Sequence, residues 1–333
     1  MSYVDTEKLS AIMRRKGLDL ANRKVLHASF EKTLQANDLK EPPNCGGFGR
    51  IRHFQRDYGE SWPENPLPID PALHWLGAPP ANILRVQLFQ SAVCTWRCWY
   101  CFVDSEVLSG HPLYTAFKSP DELLDSYQLE ANRPQVIVLS GGQPDLIPEW
   151  TLWFADAMHH RGLHTTTYLW TDDNLSNDYL WKYLAPEEID RLSRYTNYGR
   201  VGCFKGFDES SFSFNTRAAP QEFARQFELM KRLVAQGFDV YGYATFTTDR
   251  HDHIQSKVRG FVDKLQEVHP LFPLRTVPLK IQRWTPTGRR MGSEQEKALL
   301  LQMDVAAAWM DELTDRFTFD QRSAPIYSHQ IRN

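Results

Sequence analysis

From residue 81 onward, apolar and polar positions switch repeatedly between a period of two and a period near 3.6, the signature of strands alternating with helices. Residues 82–89 (NILRVQLF) alternate and run into a cysteine-rich loop. Residues 119–132 then read as a helix, with Ser119 as N-cap, Pro120 in the first turn and Glu122 completing a capping box. Residues 135–142 (QVIVLSGG) form a β-branched run that suits a strand buried on both faces. The helix of residues 148–162 follows, closed by Gly162. Further strand candidates lie in 164–173 (HTTTYLWTDD), 198–208 (YGRVGCFKGFD), 239–248 (DVYGYATFTT) and 278–284 (PLKIQRW). Helical faces separate them, one carrying Phe223, Phe227, Met230 and Val234, another Ile254, Val258, Phe261, Leu265 and Val268.

Six strands, each but the last followed by a helix, predict βαβ units and a parallel sheet. Right-handed crossovers in strand order curl such a sheet into an α/β fold of partial (βα)6 TIM-like barrel type. A doubly wound open sheet is the alternative, and its G-x-G-x-x-G turn is absent after the first strand. Residues 1–80 form an N-terminal addition: one or two helices, with Leu26, Phe30 and Leu34 on one face, then an irregular arm too rich in aromatics for a disordered linker. Residues 81–284 are the barrel. Residues 285–333 add a helix capped by Ser293 and Glu296, with Leu299, Met303, Ala306 and Met310 toward the core, and a tail.

Composition narrows the class. The chain has 333 residues, 42% of them hydrophobic, enough for a sizeable core. No apolar stretch reaches membrane-spanning length and the N-terminus lacks a signal peptide's apolar run, so a cytoplasmic protein is expected. Lys plus Arg (38) nearly balances Asp plus Glu (41), which supplies no bulk drive toward nucleic acid. An odd count of five cysteines, three of them clustered, argues against a disulfide framework.

That cluster, Cys94-Thr-Trp-Arg-Cys98-Trp-Tyr-Cys101, holds three soft donors within eight residues, which suits zinc or an iron–sulfur cluster. Structural zinc wants a fourth ligand, and no second Cys or His pair lies nearby. A three-cysteine cubane leaves one iron open. Cys94-x3-Cys98-x2-Cys101 directly after a first strand resembles the hallmark of the radical S-adenosylmethionine (SAM) superfamily. The resemblance implies one [4Fe-4S] cluster held by Cys94, Cys98 and Cys101, with SAM chelating the fourth iron. It also implies reductive cleavage to a 5′-deoxyadenosyl radical, hydrogen abstraction, and a flavodoxin- or ferredoxin-type electron donor.

The same resemblance covers further residues. Tyr100 and Phe102 would lie against the adenine, while Trp96 and Trp99 shield the cluster. Gly141, Gly142, Gln143 and Pro144 match the family's GGEP turn, with Gln143 in place of glutamate. Thr171 and Asp172 stand at the height of the ribose or methionine carboxylate, or form a helix-capping turn. Lys205 would pair with the carboxylate, or be solvated. No protein acid or base is required. The strand pattern is most similar to the activating enzymes of glycyl radical enzymes, which implies a protein or peptide substrate. The departures are Val93 for a glycine, "FVDS" for Asn-Pro, and Cys203 for the first aspartate of Asp-x-Lys. The alternatives are a radical enzyme of small molecules or nucleotides, whose open side the N-terminal arm closes, and a non-catalytic iron–sulfur or zinc protein. Arg283, Arg289 and Arg290 either greet a phosphate or carboxylate or form a solvated edge. His251 and His253 are read as a solvent-facing helix start, and Cys203 as a small buried thiol.

Overall fold

The computed structural model describes residues 3–57, 59 and 62–332. Its strands are β1 (Leu18–Asp19), β2 (Lys24–Ala28), β3 (Gly49–Gln55), β4 (Ile83–Gln90), β5 (Thr115–Lys118), β6 (Val136–Ser140), β7 (Tyr168–Asp173), β8 (Tyr198–Phe204), β9 (Val240–Thr245) and β10 (Thr276–Leu279). The main sheet runs β10-β9-β8-β7-β6-β4-β3. From β4 to β10 the pairings are parallel and the strands follow chain order, whereas β3 is an antiparallel edge. The intervening helices include Pro120–Leu129, Pro148–His160, Glu222–Ala235 and Ile254–Val268. A three-stranded antiparallel sheet, β1-β2-β5, lies apart.

The sheet is a curled α/β half-barrel. Trp170 of β7 and Tyr241 of β9 bring their rings to 5.4 Å across the intervening strand, which a flat sheet would not allow. Phe54, Leu84, Val86, Leu88, Val136, Val138, Trp170, Val201, Tyr241, Tyr243 and Val277, drawn from all seven strands, form one concave cluster. A second cluster joins the convex face to the helices. The N-terminal arm touches both edges. β3 extends the sheet beyond β4, while Trp62 donates to the Pro278 carbonyl of β10 at 3.3 Å and Tyr243 of β9 donates to the Leu67 carbonyl at 2.9 Å.

Several local expectations are corrected. Residues 24–28 form a strand, not the helix suggested by Leu26, Phe30 and Leu34, because β2 pairs with β5 and gains its backbone hydrogen bonds there. β3 is regular where an irregular arm is expected; two of its residues, Arg50 and Arg52, break the apolar alternation. The last strand, Thr276–Leu279, starts earlier and is shorter than 278–284. The C-terminal helix begins at Ser293, with Gly292 N donating to Gln295 Oε1 at 2.9 Å, in place of a Ser293–Glu296 box. Its buried face carries Val305, Ala306, Trp309 and Leu313, leaving Met310 exposed. Among the described residues no helix is long and apolar enough to cross a membrane.

Candidate functional site

The cysteine loop leaves the C-terminal end of β4, where the sheet's other functional candidates also end. All three thiols are free; Cys94 and Cys98 are buried and Cys101 is partly exposed. Five parts of the chain fasten the loop. Trp96 Nε1 donates to Thr6 Oγ1 at 3.2 Å, and Ser10 and Thr95 join hydroxyls at 2.9 Å. Trp99 Nε1 donates to Asn215 Oδ1 at 3.0 Å. Asn174 Nδ2 approaches Cys94 Sγ at 3.8 Å. Arg290 donates to the carbonyls of Cys98 (3.2 Å), Cys101 and Val103 (3.1 Å). Arg290 is thus neither a solvated edge nor an anion receptor. Arg283 pairs with Glu296 at the surface.

The fifth tether is Gln143. Its Oε1 accepts from Thr95 N at 2.9 Å and meets Cys94 Sγ at 3.7 Å; its Nε2 donates to Asp145 Oδ2 at 2.9 Å and to Ser176 Oγ. A glutamate here would oppose Asp145 with like charge, so the glutamine follows from its neighbour. Burial, then Asp173, pushes the Asp145 carboxyl up to about 7. Gly141 and Gly142 have φ of +68° and +55°, and a Cβ on Gly142 would come within 2.4 Å of the Ser91 carbonyl. These glycines let β6 close on the entry to the cysteine loop. Pro144 starts the short turn 144–146 beside them.

On the concave side, Asp172 accepts from Ser140 Oγ. Burial raises its carboxyl, while Ser140, Arg52 and Lys205 act to lower it. Lys205 directly follows the last residue of β8. Burial disfavours its charge, but Cys203, Tyr100, Cys98 and Cys94 outweigh burial and hold the ammonium above its ordinary range. Tyr100 OH lies 3.3 Å from Thr245 Oγ1 of β9. Phe102 is partly buried under the guanidiniums of Arg50 and Arg52, 5.2 and 5.6 Å from its ring centre. Thr171 points to the other face, its hydroxyl 2.8 Å from Tyr198 OH, and stands apart from Asp172. The structure therefore gathers Tyr100, Phe102, Asp172 and Lys205 with the cysteine loop and the Gly141–Pro144 turn.

The donor set suits a soft metal centre. Burial pushes the Cys94 thiol up to about 12, with Cys98 and Cys101 adding to the rise, so the sulfurs sense one another and a cation would relieve their repulsion. Cys45 and Cys203 belong to other surroundings: Cys45 faces Glu130, and Cys203 faces Lys205 and Asp172. Among the described residues, no three His, Cys, Asp or Glu side chains, the three thiols of the loop included, are gathered closely enough to hold a single ion. His251 and His253 are exposed. Two surface clefts, of about 370 and 600 Å³, lie off the concave mouth; the second runs behind the loop between Asp104, Glu106, Arg289 and Arg290.

Asn174, Arg50 and Arg52 escape sequence reasoning, and Arg290 is read there with another role. Arg290 and Asn174 bind the loop from distant segments, which no spacing reveals. Arg50 and Arg52 carry one visible signal, an i, i+2 pair that places both side chains on one face of a strand.

No protein-family model matches the chain, and no curated protein matches it. Among solved structures, Streptococcus suis SuiB bound to its precursor peptide SuiA is 17% identical over 54% of this chain, with a TM-score of 0.39. SuiB bound to S-adenosylmethionine is 16% identical over 54% of this chain, with a TM-score of 0.40. The match spans 36% and 37% of those chains, and a likeness of this size assigns neither family nor activity.

Proposed function

We propose that the chain is a radical SAM enzyme whose barrel, residues 81–284, carries a [4Fe-4S] cluster on Cys94, Cys98 and Cys101. The observation that carries this reading is the tie between two motifs. The three-thiol loop ends the first parallel strand, and Gln143 of the Gly141–Pro144 turn, at the end of the next strand, holds that loop by Thr95 N. Such a cluster, when bound, supplies one-electron reduction of a sulfonium and so a hydrogen-abstracting carbon radical, given an external donor of flavodoxin or ferredoxin type.

The chain's own residues set the conditions. Lys205 offsets negative charge on the thiolates and on a ligand carboxylate. Ser140 and Asp172 offer hydroxyl partners at the mouth, and Tyr100 and Phe102 flank the loop where an adenine would rest. Trp96 and Trp99, each anchored through its indole N–H, exclude water from the sulfurs. Gly141, Gly142 and Pro144 shape the turn that would receive the methionine amino group.

The strand pattern suggests a protein or peptide substrate, as in glycyl-radical activation. The arm favours the second reading, a small molecule: Trp62 and Leu67 bond to β10 and β9 at the last edge of the sheet, so the arm would close the side where a partner's loop would enter. Anaerobic reconstitution with iron and sulfide, followed by dithionite and SAM, tests the function. Equal yields of 5′-deoxyadenosine and methionine, absent in Cys98→Ala, are expected; iron-loaded protein that forms neither would refute it.

A further inference from the structure

Four arginines of the described chain are buried: Arg14, Arg50, Arg200 and Arg275. Three have a carboxylate partner, respectively Glu149, Asp173 and Asp239. Arg50 has none among the described residues. It is 8% exposed, its Nε has no hydrogen-bond partner, and its guanidinium lies 5.4 and 5.2 Å from the ring centres of Phe30 and Phe102. Arg52, two residues on, makes no ion pair among the described residues and lies over Phe54 and Phe102 at 4.3 and 5.6 Å.

A buried charge without a counter-charge is costly, so a fold that keeps one has a use for it. The register aims both side chains inward: Arg50 stands opposite Leu88 and Arg52 opposite Val86, both in the concave cluster. Arg52 and Lys205 both lie within electrostatic reach of Asp172. Arg50, Arg52 and Lys205 stand against Asp172 here, so the mouth carries an excess of positive charge. The one carboxylate sensed by Arg50, Asp38, forms no ion pair with it among the described residues and instead accepts from Thr285 N at 3.0 Å and Thr285 Oγ1 at 2.8 Å.

We infer that Arg50 and Arg52 form a binding site for the phosphate group of a small-molecule substrate. Two planar forks match a dianionic tetrahedral oxyanion in charge and in donor number, and both lie against the ring of Phe102. A peptide backbone carries no charge to match, and a single carboxylate carries half of it. The inference rests on the proposed function, since it places the phosphate on the substrate of that mouth.

Calorimetric titration of the full chain with inorganic phosphate, at constant low ionic strength and with malonate in parallel, tests it without turnover. Arg50→Met should keep its fold, because it removes an unpaired buried charge. It is expected to weaken phosphate at least about tenfold, and the double variant R50M/R52M to abolish binding, with malonate weaker than phosphate throughout. Absence of phosphate binding by the unaltered chain, equal binding by the double variant, or tighter malonate would overturn the inference. An equal loss of SAM affinity in Arg50→Met would assign the pair to the cofactor and overturn it as well. SAM cleavage without phosphate binding sinks this inference alone; phosphate binding without SAM cleavage sinks the proposed function alone.

Discussion

Arg200 and Arg50 are both buried in strands of one sheet, and they teach opposite lessons. Arg200, on the helix-facing side of β8, donates from Nε to Asp173 Oδ2 at 3.0 Å; against the pull of burial, Asp173 holds its guanidinium above the ordinary range. Arg50, on the concave side of β3, meets aromatic rings and a second arginine, and burial pulls it down to about 9. The same cost of desolvation is answered in one place and left open in the other. Charge pairing behind the sheet secures the fold, while unpaired charge inside the mouth is available to a ligand.

The comparison is broken most forcefully at the paired site. Asp173→Ala strands a buried guanidinium and should cost about 3–5 kcal/mol in urea denaturation, whereas Arg50→Met should cost nothing or stabilise the chain. Equal losses would erase the distinction between the two arginines.

Next in size is a pH effect behind the sheet. Asp145 accepts from Gln143, Asn177 and Asn174 N and faces Asp173 and Arg200. Its carboxyl is raised from 3.8 to about 7, so between these values the folded state binds the extra proton. Stability from this group is complete below about pH 4 and lost as pH rises through about 7, on the order of 2–4 kcal/mol. Subtracting the curve of Asp145→Asn isolates it; His27, whose imidazole burial lowers to about 4, contributes with opposite sign and cancels in the difference.

Gln143→Glu should cost about 2 kcal/mol, since it replaces a donor to Asp145 by a like charge. Asp145→Asn in the same chain should recover part of that loss in a double-mutant cycle, and strict additivity would contradict the link. The smallest effect concerns the loop clamp. Arg290→Lys keeps the charge but loses the planar fork, which should cost about 1 kcal/mol and speed iron release to a chelator.

Legibility in the sequence followed the range of the forces. The βα alternation, the Ser119–Glu122 box and the stop at Gly162 are local, and all three stand in the structure. Residues 24–28 misled because a helical spacing of three apolar residues carries no information about β5, 90 residues away. At the site, the thiol loop and the glycine turn announce themselves by spacing. The partners of Gln143 and the clamp of Arg290 do not, because they depend on which segments the fold brings side by side. Thr171 and Asp172 look equivalent in sequence, and the pleat separates them.

Electron paramagnetic resonance of the reduced, reconstituted protein with SAM labelled with ¹⁵N at the methionine amine tests for the vacant iron itself. A three-cysteine centre with one vacant iron predicts a cluster signal that shifts on addition and shows hyperfine coupling to the labelled nitrogen. A signal indifferent to the nucleoside, or metal analysis that returns zinc and no iron from oxygen-free material, would contradict it.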